Sequence, residues 1–174
     1  VTKSVVGMLA GMAIADGKLD IDRHIGDYLP NEPGWGDEAH RAITVRDILT
    51  ETSGTQEAII AEAATVVTDP SIMQEFLAQK ITHPPGTHFE YGQRDADAAA
   101  YIVQSALGRD LQDYAQERLF GPLGIDKSSY FWLRDRSGNT YGYAWLFIAP
   151  KYLARLGLMM QNGGQYAGQQ VVPF

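Results

Sequence analysis

The first fifteen residues (VTKSVVGMLAGMAIA) limit the folding of this chain more than any other segment. Their large apolar side chains recur at a spacing of three and four, which predicts an α-helix, and small residues fill the other positions. Lys3 is the only charged residue among them, and Asp16-Gly17 is a typical helix end. A helix that is apolar nearly all round is stable in water only when most of its sides are buried. We therefore expect the rest of the chain to pack around it.

The composition supports a packed domain and excludes several classes of function. Of the 174 residues, 45% are hydrophobic and 20% are charged, which is ample for a core. The net charge of −7, without a basic stripe, argues against binding to nucleic acid or to anionic membranes. The absence of cysteine excludes disulfides, thiolate zinc sites and a thiol nucleophile. No apolar run approaches the ~18 residues of a membrane span.

The sequence contains no motif for a cofactor or a metal ion. None of the patterns G-x-x-x-x-G-K-[ST], G-x-G-x-x-G, G-x-S-x-G and H-E-x-x-H occurs. His83 and His88 flank a Pro-Pro-Gly turn, where histidines are more often solvated than bound to metal. We therefore predict neither a cofactor nor a metal site. The oligomeric state does not follow from the sequence, and a periplasmic or secreted location is as compatible with it as a cytoplasmic one.

The local patterns predict a mostly helical chain with a few strands. Thr44 and Asp47 have the spacing of a capping box, and Asp69 is the expected cap of a helix that continues to about Lys80. Further helices are predicted at residues 94–107, 110–120 and 150–161, and a hairpin at 130–133 and 141–148. Residues 171–174 have the composition of a strand.

Lys3 is the first candidate for chemistry. A lysine in the first turn of a helix is poorly placed for the helix dipole, which favours acids there. If that turn is buried, desolvation favours the neutral amine, which can act as a general base. The alternative is a frayed, solvated lysine, and this is the more common state when Lys3 is considered alone.

Tyr91 and Gln93 are the other candidates, between a Pro-Pro-Gly-Thr turn and a predicted helix. A phenol at this place can project into a cleft and transfer a proton. The amide of Gln93 can hold a carbonyl or an amine of a substrate. The alternative is that Tyr91 and Phe89 are core aromatic residues and that Gln93 merely begins a helix.

Taken together, these segments resemble one known family. Residues 44–54 (TVRDILTETSG) are similar to its T-V-R-x-L-L-x-H-T-S-G run, with Glu51 where histidine is usual. Residues 84–93 (PPGTHFEYGQ) resemble P-P-G-x-x-F-x-Y-S-N, and residues 117–125 (ERLFGPLGI) resemble E-R-I-F-x-P-L-G-M. Residues 1–3 match the last three positions of Ser-x-x-Lys. The order of the matches is that of the serine β-lactamase and penicillin-binding-protein superfamily, in its class C β-lactamase and esterase branch, which includes nylon-oligomer hydrolases.

The resemblance implies an α+β fold of the β-lactamase/transpeptidase type. Residues 1–174 would be a single partial domain, the mostly helical middle portion, with flanking sheet strands expected beyond both ends. In this family a serine attacks a small ester, amide or β-lactam and forms an acyl-enzyme. Lys3 matches the lysine that keeps the serine's proton mobile. Tyr91 matches the general base and acid, and Gln93 takes the place of a substrate-holding asparagine.

The same resemblance implies two elements that residues 1–174 do not contain. The nucleophilic serine is expected immediately before Val1, and a Lys- or His-Thr-Gly strand is expected after Phe174. We therefore expect the 174 residues alone to be inactive. The departures at Glu51 and Gln93 favour an alternative, a catalytically inactive binding or peptidoglycan-sensing module on the same fold. A small helical protein of unrelated function is a third hypothesis, which predicts cooperative folding of the 174 residues alone.

Overall fold

A computed structural model describes residues 1–56 and 71–173 of the chain. Within these ranges the chain forms seven α-helices and two small antiparallel sheets. The helices are α1 (Thr2–Ala15), α2 (Glu38–Arg41), α3 (Val45–Leu49), α4 (Ile72–Leu77), α5 (Arg94–Leu107), α6 (Leu111–Ala115) and α7 (Pro150–Gln161). The strands are β1 (Tyr130–Trp132), β2 (Leu146–Ile148), β3 (Gln165–Tyr166) and β4 (Gln169–Gln170). This mixture agrees with the predicted α+β class.

The first helix, α1, is central, as its apolar sequence predicts. Its large side chains at positions 5, 6, 9 and 12 are almost fully buried. Helix α5 packs against α1, and α3 and α4 pack against α5. One continuous apolar core therefore joins these four helices, and it fixes the start of α1 relative to the start of α5.

The helix starts follow from local sequence chemistry. The Oγ1 of Thr44 accepts from the amide of Asp47, and the Asp47 carboxylate accepts from the amide of Thr44, so the predicted capping box is confirmed. Helix α4 begins after Ser71, whose hydroxyl accepts from the Gln74 amide. The predicted cap Asp69 lies outside the described residues. Pro150 begins α7, as predicted.

The predicted hairpin forms, although its strands are shorter than expected. Strands β1 and β2 pair with Tyr130 opposite Ile148 and Trp132 opposite Leu146. The pairing stops at Trp145, whose φ of 68° turns the chain away from regular strand geometry. The prediction of a strand at the end of the chain is wrong for residues 171–173, which are not part of a strand. They follow a hairpin of β3 and β4 that the sequence did not predict. Phe174 lies outside the described residues.

Candidate functional site

Lys3 lies in the first turn of α1 and points to two other segments of the chain. Its Nζ is 3.0 Å from Oε1 of Glu51, and it also donates to the carbonyl oxygen of Gly92. The side chain is 20% exposed, so water surrounds only part of it. The hypothesis of a frayed, solvated lysine is therefore wrong. The buried helix instead presents the amine to a counter-charge and a carbonyl.

Tyr91 lies directly over this amine. The Nζ of Lys3 is 3.7 Å from the centroid of the Tyr91 ring, which is within the range of a cation–π contact. Tyr91 is 58% exposed and its neighbour Phe89 is 60% exposed, so the hypothesis that both are core aromatic residues is wrong. The phenol is open to solvent on one side and contacts the lysine on the other. A molecule from solvent can therefore reach the phenol.

Glu51 joins Lys3 to the loop that carries Tyr91. Its Oε1 pairs with Lys3, and its Oε2 accepts from the amide of Gly92 at 3.3 Å. Its main-chain carbonyl accepts from the amide of Glu90 at 3.1 Å. Only the departure from the family's usual histidine singled out Glu51 in the sequence. Its pairing with a lysine 48 positions away could not be read from local patterns.

Gln93 occupies the N-cap position of α5 and is half-buried. Its main-chain carbonyl accepts from the amide of Asp97 at 3.1 Å, as the first intrahelical bond of α5. Of the three candidates from the sequence, the structure joins Lys3 and Tyr91 by direct contact. It places Gln93 two residues farther along the same loop.

The loop before Tyr91 is held against the segment after Glu51. The carbonyl of Gly54 accepts from the amides of Thr82 and His83, and the amide of Gly86 donates to the carbonyl of Thr52. Gly54 has a φ of 77°, and a Cβ there would lie 2.1 Å from the carbonyl oxygen of His83. Only glycine allows so close an approach together with this backbone angle. The two segments therefore hold Glu51 and Tyr91 at a fixed separation.

The start of α5 is tied to the same segment by buried hydrogen bonds. The carboxylate of Asp95 accepts from the hydroxyl of Ser53 at 2.6 Å and from the Ser53 amide at 3.3 Å. Both residues are about 2% exposed. Hydrogen bonds to a buried carboxylate are among the stronger ones in proteins. Asp95 therefore links the residues after Glu51 to the helix that follows Tyr91.

A cavity of about 60 Å³ lies beside the Lys3–Glu51 pair. Its other lining residues are small or apolar and come from α1, α3 and α5: Val6, Gly7, Ile48, Leu49, Ala96 and Ala99. Larger clefts of about 560 and 360 Å³ are lined by residues around Arg41 and around Trp132, away from this pair. We assign the candidate site to Lys3 and Tyr91 because an amine, a carboxylate and a phenol meet there.

The described part of the chain offers neither a cluster of metal ligands nor a membrane-spanning helix. Within residues 1–56 and 71–173, no three His, Asp or Glu side chains lie close enough together to hold a metal ion. The rings of His83 and His88 stack at 4.1 Å on the surface. No helix in these same ranges has the length and apolar character needed to cross a membrane.

Comparisons with known proteins identify relatives of this chain. A family model described as "Beta-lactamase" matches residues 1–168. The lovastatin esterase of Penicillium rubens is 26% identical over an alignment of 152 positions, and the alignment covers 75% of this chain and 38% of the esterase. The 6-aminohexanoate-dimer hydrolase of Paenarthrobacter ureafaciens is 24% identical over an alignment of 185 positions, and the alignment covers 99% of this chain and 47% of that hydrolase.

Solved structures show a similar fold. The octameric penicillin-binding protein homologue from Pyrococcus abyssi superposes with a TM-score of 0.71 at 19% identity, over 99% of this chain and 45% of that one. The chain therefore spans less than half the length of each of these three proteins.

Proposed function

Because this chain belongs to the beta-lactamase family, we propose that it is part of a serine hydrolase that cleaves small esters, amides or β-lactams through an acyl-enzyme. The contact between the Lys3 amine and the Tyr91 ring carries this proposal. Acyl transfer to a serine requires a group that accepts the serine's proton and later delivers it to the leaving group. A half-buried amine in contact with an exposed phenol can accept the serine's proton and deliver it to the leaving group.

In the proposed reaction, the nucleophile is the serine expected one position before Val1. Its Oγ forms a bond to the substrate carbonyl carbon, the carbonyl electron pair moves to oxygen, and the serine's proton passes to Tyr91. The bond to the leaving group then breaks, and Tyr91 returns the proton to that group. Water next attacks the acyl-serine by the same proton route, which releases the carboxylic acid and restores the serine.

Lys3 and Gln93 have different tasks in this proposal. The ammonium of Lys3, placed against the ring, supplies a nearby positive charge when negative charge develops on the phenol oxygen. Gln93 follows Tyr91 at the start of α5, where its amide can bind a polar group of the substrate. Gln93 therefore acts as a substrate-binding residue and takes no part in proton transfer.

The substrate class is supported by the relatives and by the exposure of Tyr91. The names of two relatives describe an esterase and a hydrolase of a 6-aminohexanoate dimer, which are acyl-cleaving enzymes. Tyr91 is open to solvent on one side, so a small acyl compound can approach it without a large rearrangement. We propose small esters and amides first, and β-lactams as strained amides of the same reaction class.

The test uses the whole protein that carries this chain. It is incubated with a fluorophosphonate, in which serine oxygen displaces fluoride, and intact mass and peptide mapping are then recorded. We expect one adduct, on a serine three residues before Lys3, and a much slower reaction after Lys3→Met. Lys18→Met, which alters an exposed lysine beyond α1, is the matched control. Absence of an adduct on that serine would refute the proposal that the protein is a serine hydrolase.

One observation favours a second candidate, the inactive binding module. The Lys3 ammonium donates to Glu51 and to the Gly92 carbonyl, so two of its three N–H groups already have partners. A panel of nitrophenyl esters separates the two candidates. A hydrolase releases nitrophenol with saturation kinetics, whereas a binding module shows affinity for peptidoglycan fragments or esters and no turnover.

We also propose that residues 1–174 form the mostly helical part of a larger domain. The chain covers 38% and 47% of its two curated relatives, and its described strands form only two-stranded sheets. The 174 residues by themselves are then expected to show no ester hydrolysis. They are also expected to unfold with low cooperativity in urea. A sharp, reversible transition of the isolated 174 residues would support the third hypothesis, an independent helical protein.

A further inference from the structure

Glu51 occupies a backbone conformation that is unfavourable for its residue type. It follows Thr50, the C-cap of α3, and has a φ of 54°, in the left-handed region. Glycine is the residue usually found there, because a Cβ is strained at this angle. The chain itself follows this rule at two other helix ends, where Gly17 follows the C-cap of α1 with a φ of 67° and Gly108 ends α5 with a φ of 62°. A glutamate at the end of α3 therefore needs an explanation other than helix termination.

The side chain of Glu51 supplies that explanation. It is 16% exposed, and each of its carboxylate oxygens has a different partner. One oxygen holds the Lys3 amine at 3.0 Å, and the other accepts from the amide of Gly92, which adjoins Tyr91 in the chain. A glycine at this position would end α3 without backbone strain. It would have no carboxylate to connect the Lys3 amine to the Gly92 amide.

We infer that Glu51 is a positioning residue, which holds the Lys3 amine against the Tyr91 ring by bridging Lys3 to the Gly92 amide. This role rests on the proposed function, because it concerns the efficiency of the Lys3–Tyr91 pair in acyl transfer. This role requires no contact between Glu51 and the reacting atoms. It acts through the two residues that it holds.

The strained backbone at Glu51 makes it possible to test the positioning role separately from a structural role. Glu51→Gly removes the carboxylate and relieves the left-handed strain, so a purely structural role and a positioning role predict different outcomes. Glu51→Gln keeps the length of the side chain and removes only its charge. Ala167→Gly is the matched control, since Ala167 has a φ of 49° in the exposed turn between β3 and β4, far from Lys3 in the chain.

In the whole protein, we expect Glu51→Gly to leave the thermal unfolding midpoint unchanged or higher. Its kcat for a nitrophenyl ester should fall by about tenfold or more, while KM stays within about twofold. Glu51→Gln should show a smaller loss of kcat at an unchanged midpoint. Ala167→Gly should match or exceed the wild-type midpoint and keep the wild-type kcat.

The outcomes also separate this inference from the proposed function. If both Glu51 variants hydrolyse the ester and react with the fluorophosphonate at the wild-type rate, Glu51 has no positioning role and only this inference is overturned. If Glu51→Gly loses stability and kcat in parallel and Glu51→Gln is normal in both, Glu51 is a structural residue and the inference is again overturned. If the unmodified protein does not react at all, the proposed function fails and this role fails with it.

Discussion

The amine of Lys3 lies 3.7 Å from the centroid of the Tyr91 ring, although Lys3 is in the first turn of the first helix and Tyr91 belongs to the loop that leads into the fifth. The packing of α5 against α1 brings these two helix starts together. A cation–π contact of this kind stabilises a structure by about 0.5–2 kcal/mol. The contact is therefore too weak to organise the fold. It is a consequence of the core, and it places two chemical groups side by side.

Tyr91→Phe tests the phenol without removing the ring. In the whole protein we expect kcat for a nitrophenyl ester to fall by about 100-fold or more, because proton transfer by a positioned group contributes about 10²–10⁴-fold. The unfolding midpoint should stay close to that of the wild type, since Tyr91 is exposed and phenylalanine keeps the contact with Lys3. Kinetics and thermal unfolding are measured on the same preparation.

Phe89→Leu is the control for this substitution. Phe89 is equally exposed and lies in the same loop, two residues before Tyr91. We expect Phe89→Leu to hydrolyse the ester at nearly the wild-type rate. Unchanged turnover in Tyr91→Phe would remove the phenol from the mechanism, and an equal loss in both variants would point to the loop as a whole.

Gly142→Ala should be one of the most damaging small substitutions in the chain. A Cβ at Gly142 would lie 1.8 Å from the carbonyl oxygen of Ala96, so either this segment or the start of α5 must move. The hydrogen bond from the Gly142 amide to Asp97 would be strained as well. In the whole protein we expect a loss of more than about 2 kcal/mol in the free energy of unfolding, measured by urea titration.

Gly11→Ala is the same chemical change as Gly142→Ala, but we expect it to raise the free energy of unfolding. Gly11 lies inside α1, and nothing is within 4 Å of the place where its Cβ would be. Alanine is favoured over glycine inside a helix by about 1 kcal/mol, so this variant should be more stable than the wild type. If both substitutions have equal effects, the close approach at Gly142 is not the cause.

Asp110 should make stability depend on pH in the acidic range. The Arg134 guanidinium bonded to its carboxylate at 2.6 and 2.9 Å, together with the amides of Asp113 and Gln112, lowers the pKa of Asp110. A carboxyl whose pKa is lower in the folded state stabilises it above the unfolded pKa of about 3.9. That contribution is lost as the pH falls through the folded pKa. The difference in unfolding free energy between wild type and Asp110→Asn should therefore stay constant above about pH 5 and shrink as the pH falls below that value.

A double-mutant cycle with Arg134→Gln identifies the partner that causes this dependence. The two single substitutions remove the same interaction, so their effects on unfolding free energy should not add near neutral pH. Additive effects, or a gap that stays constant down to about pH 3, would mean that Arg134 does not set the pKa of Asp110.

Thr44→Ala should destabilise α3 by removing its capping box. The Thr44 hydroxyl accepts from the Asp47 amide at 3.1 Å, and loss of such a cap costs about 1 kcal/mol. Helix α3 directly precedes Glu51, so the substitution should also lower the ester kcat in the whole protein. The exposed Ser128→Ala is the control, with an expected change within about 0.5 kcal/mol. A Thr44→Ala variant as stable as the control would show that the cap contributes little.

Much of the fold was predictable because the signals are local. The buried character of α1, the capping box of α3 and the start of α7 all follow from residues close together in the sequence. The α+β class and the β-lactamase/transpeptidase-like fold, inferred from ordered motifs, are confirmed by the family match and the solved relatives. The β3–β4 hairpin was missed because each of its strands is only two residues long, too short for a period to appear.

The site was predictable only in part. Motif spacing singled out Lys3, Tyr91 and Gln93 as candidate residues, and their catalytic and binding roles stay predictions. The pairing of Glu51 with Lys3 and Gly92 depends on three segments that are distant in sequence. Local patterns carry no information about which distant side chain faces an amine.

The sequence by itself determined that α1 must be buried, that these 174 residues contain no thiol and which family the motifs resemble. These properties depend on residue types and on spacings within a few turns of chain. Only the tertiary structure decided that Lys3 is half-buried and paired with Glu51, and that Tyr91 is exposed above it. The physical reason is that the position of a side chain follows from the packing of α1, α3 and α5 into one core. That packing sums many small contacts between residues far apart in sequence.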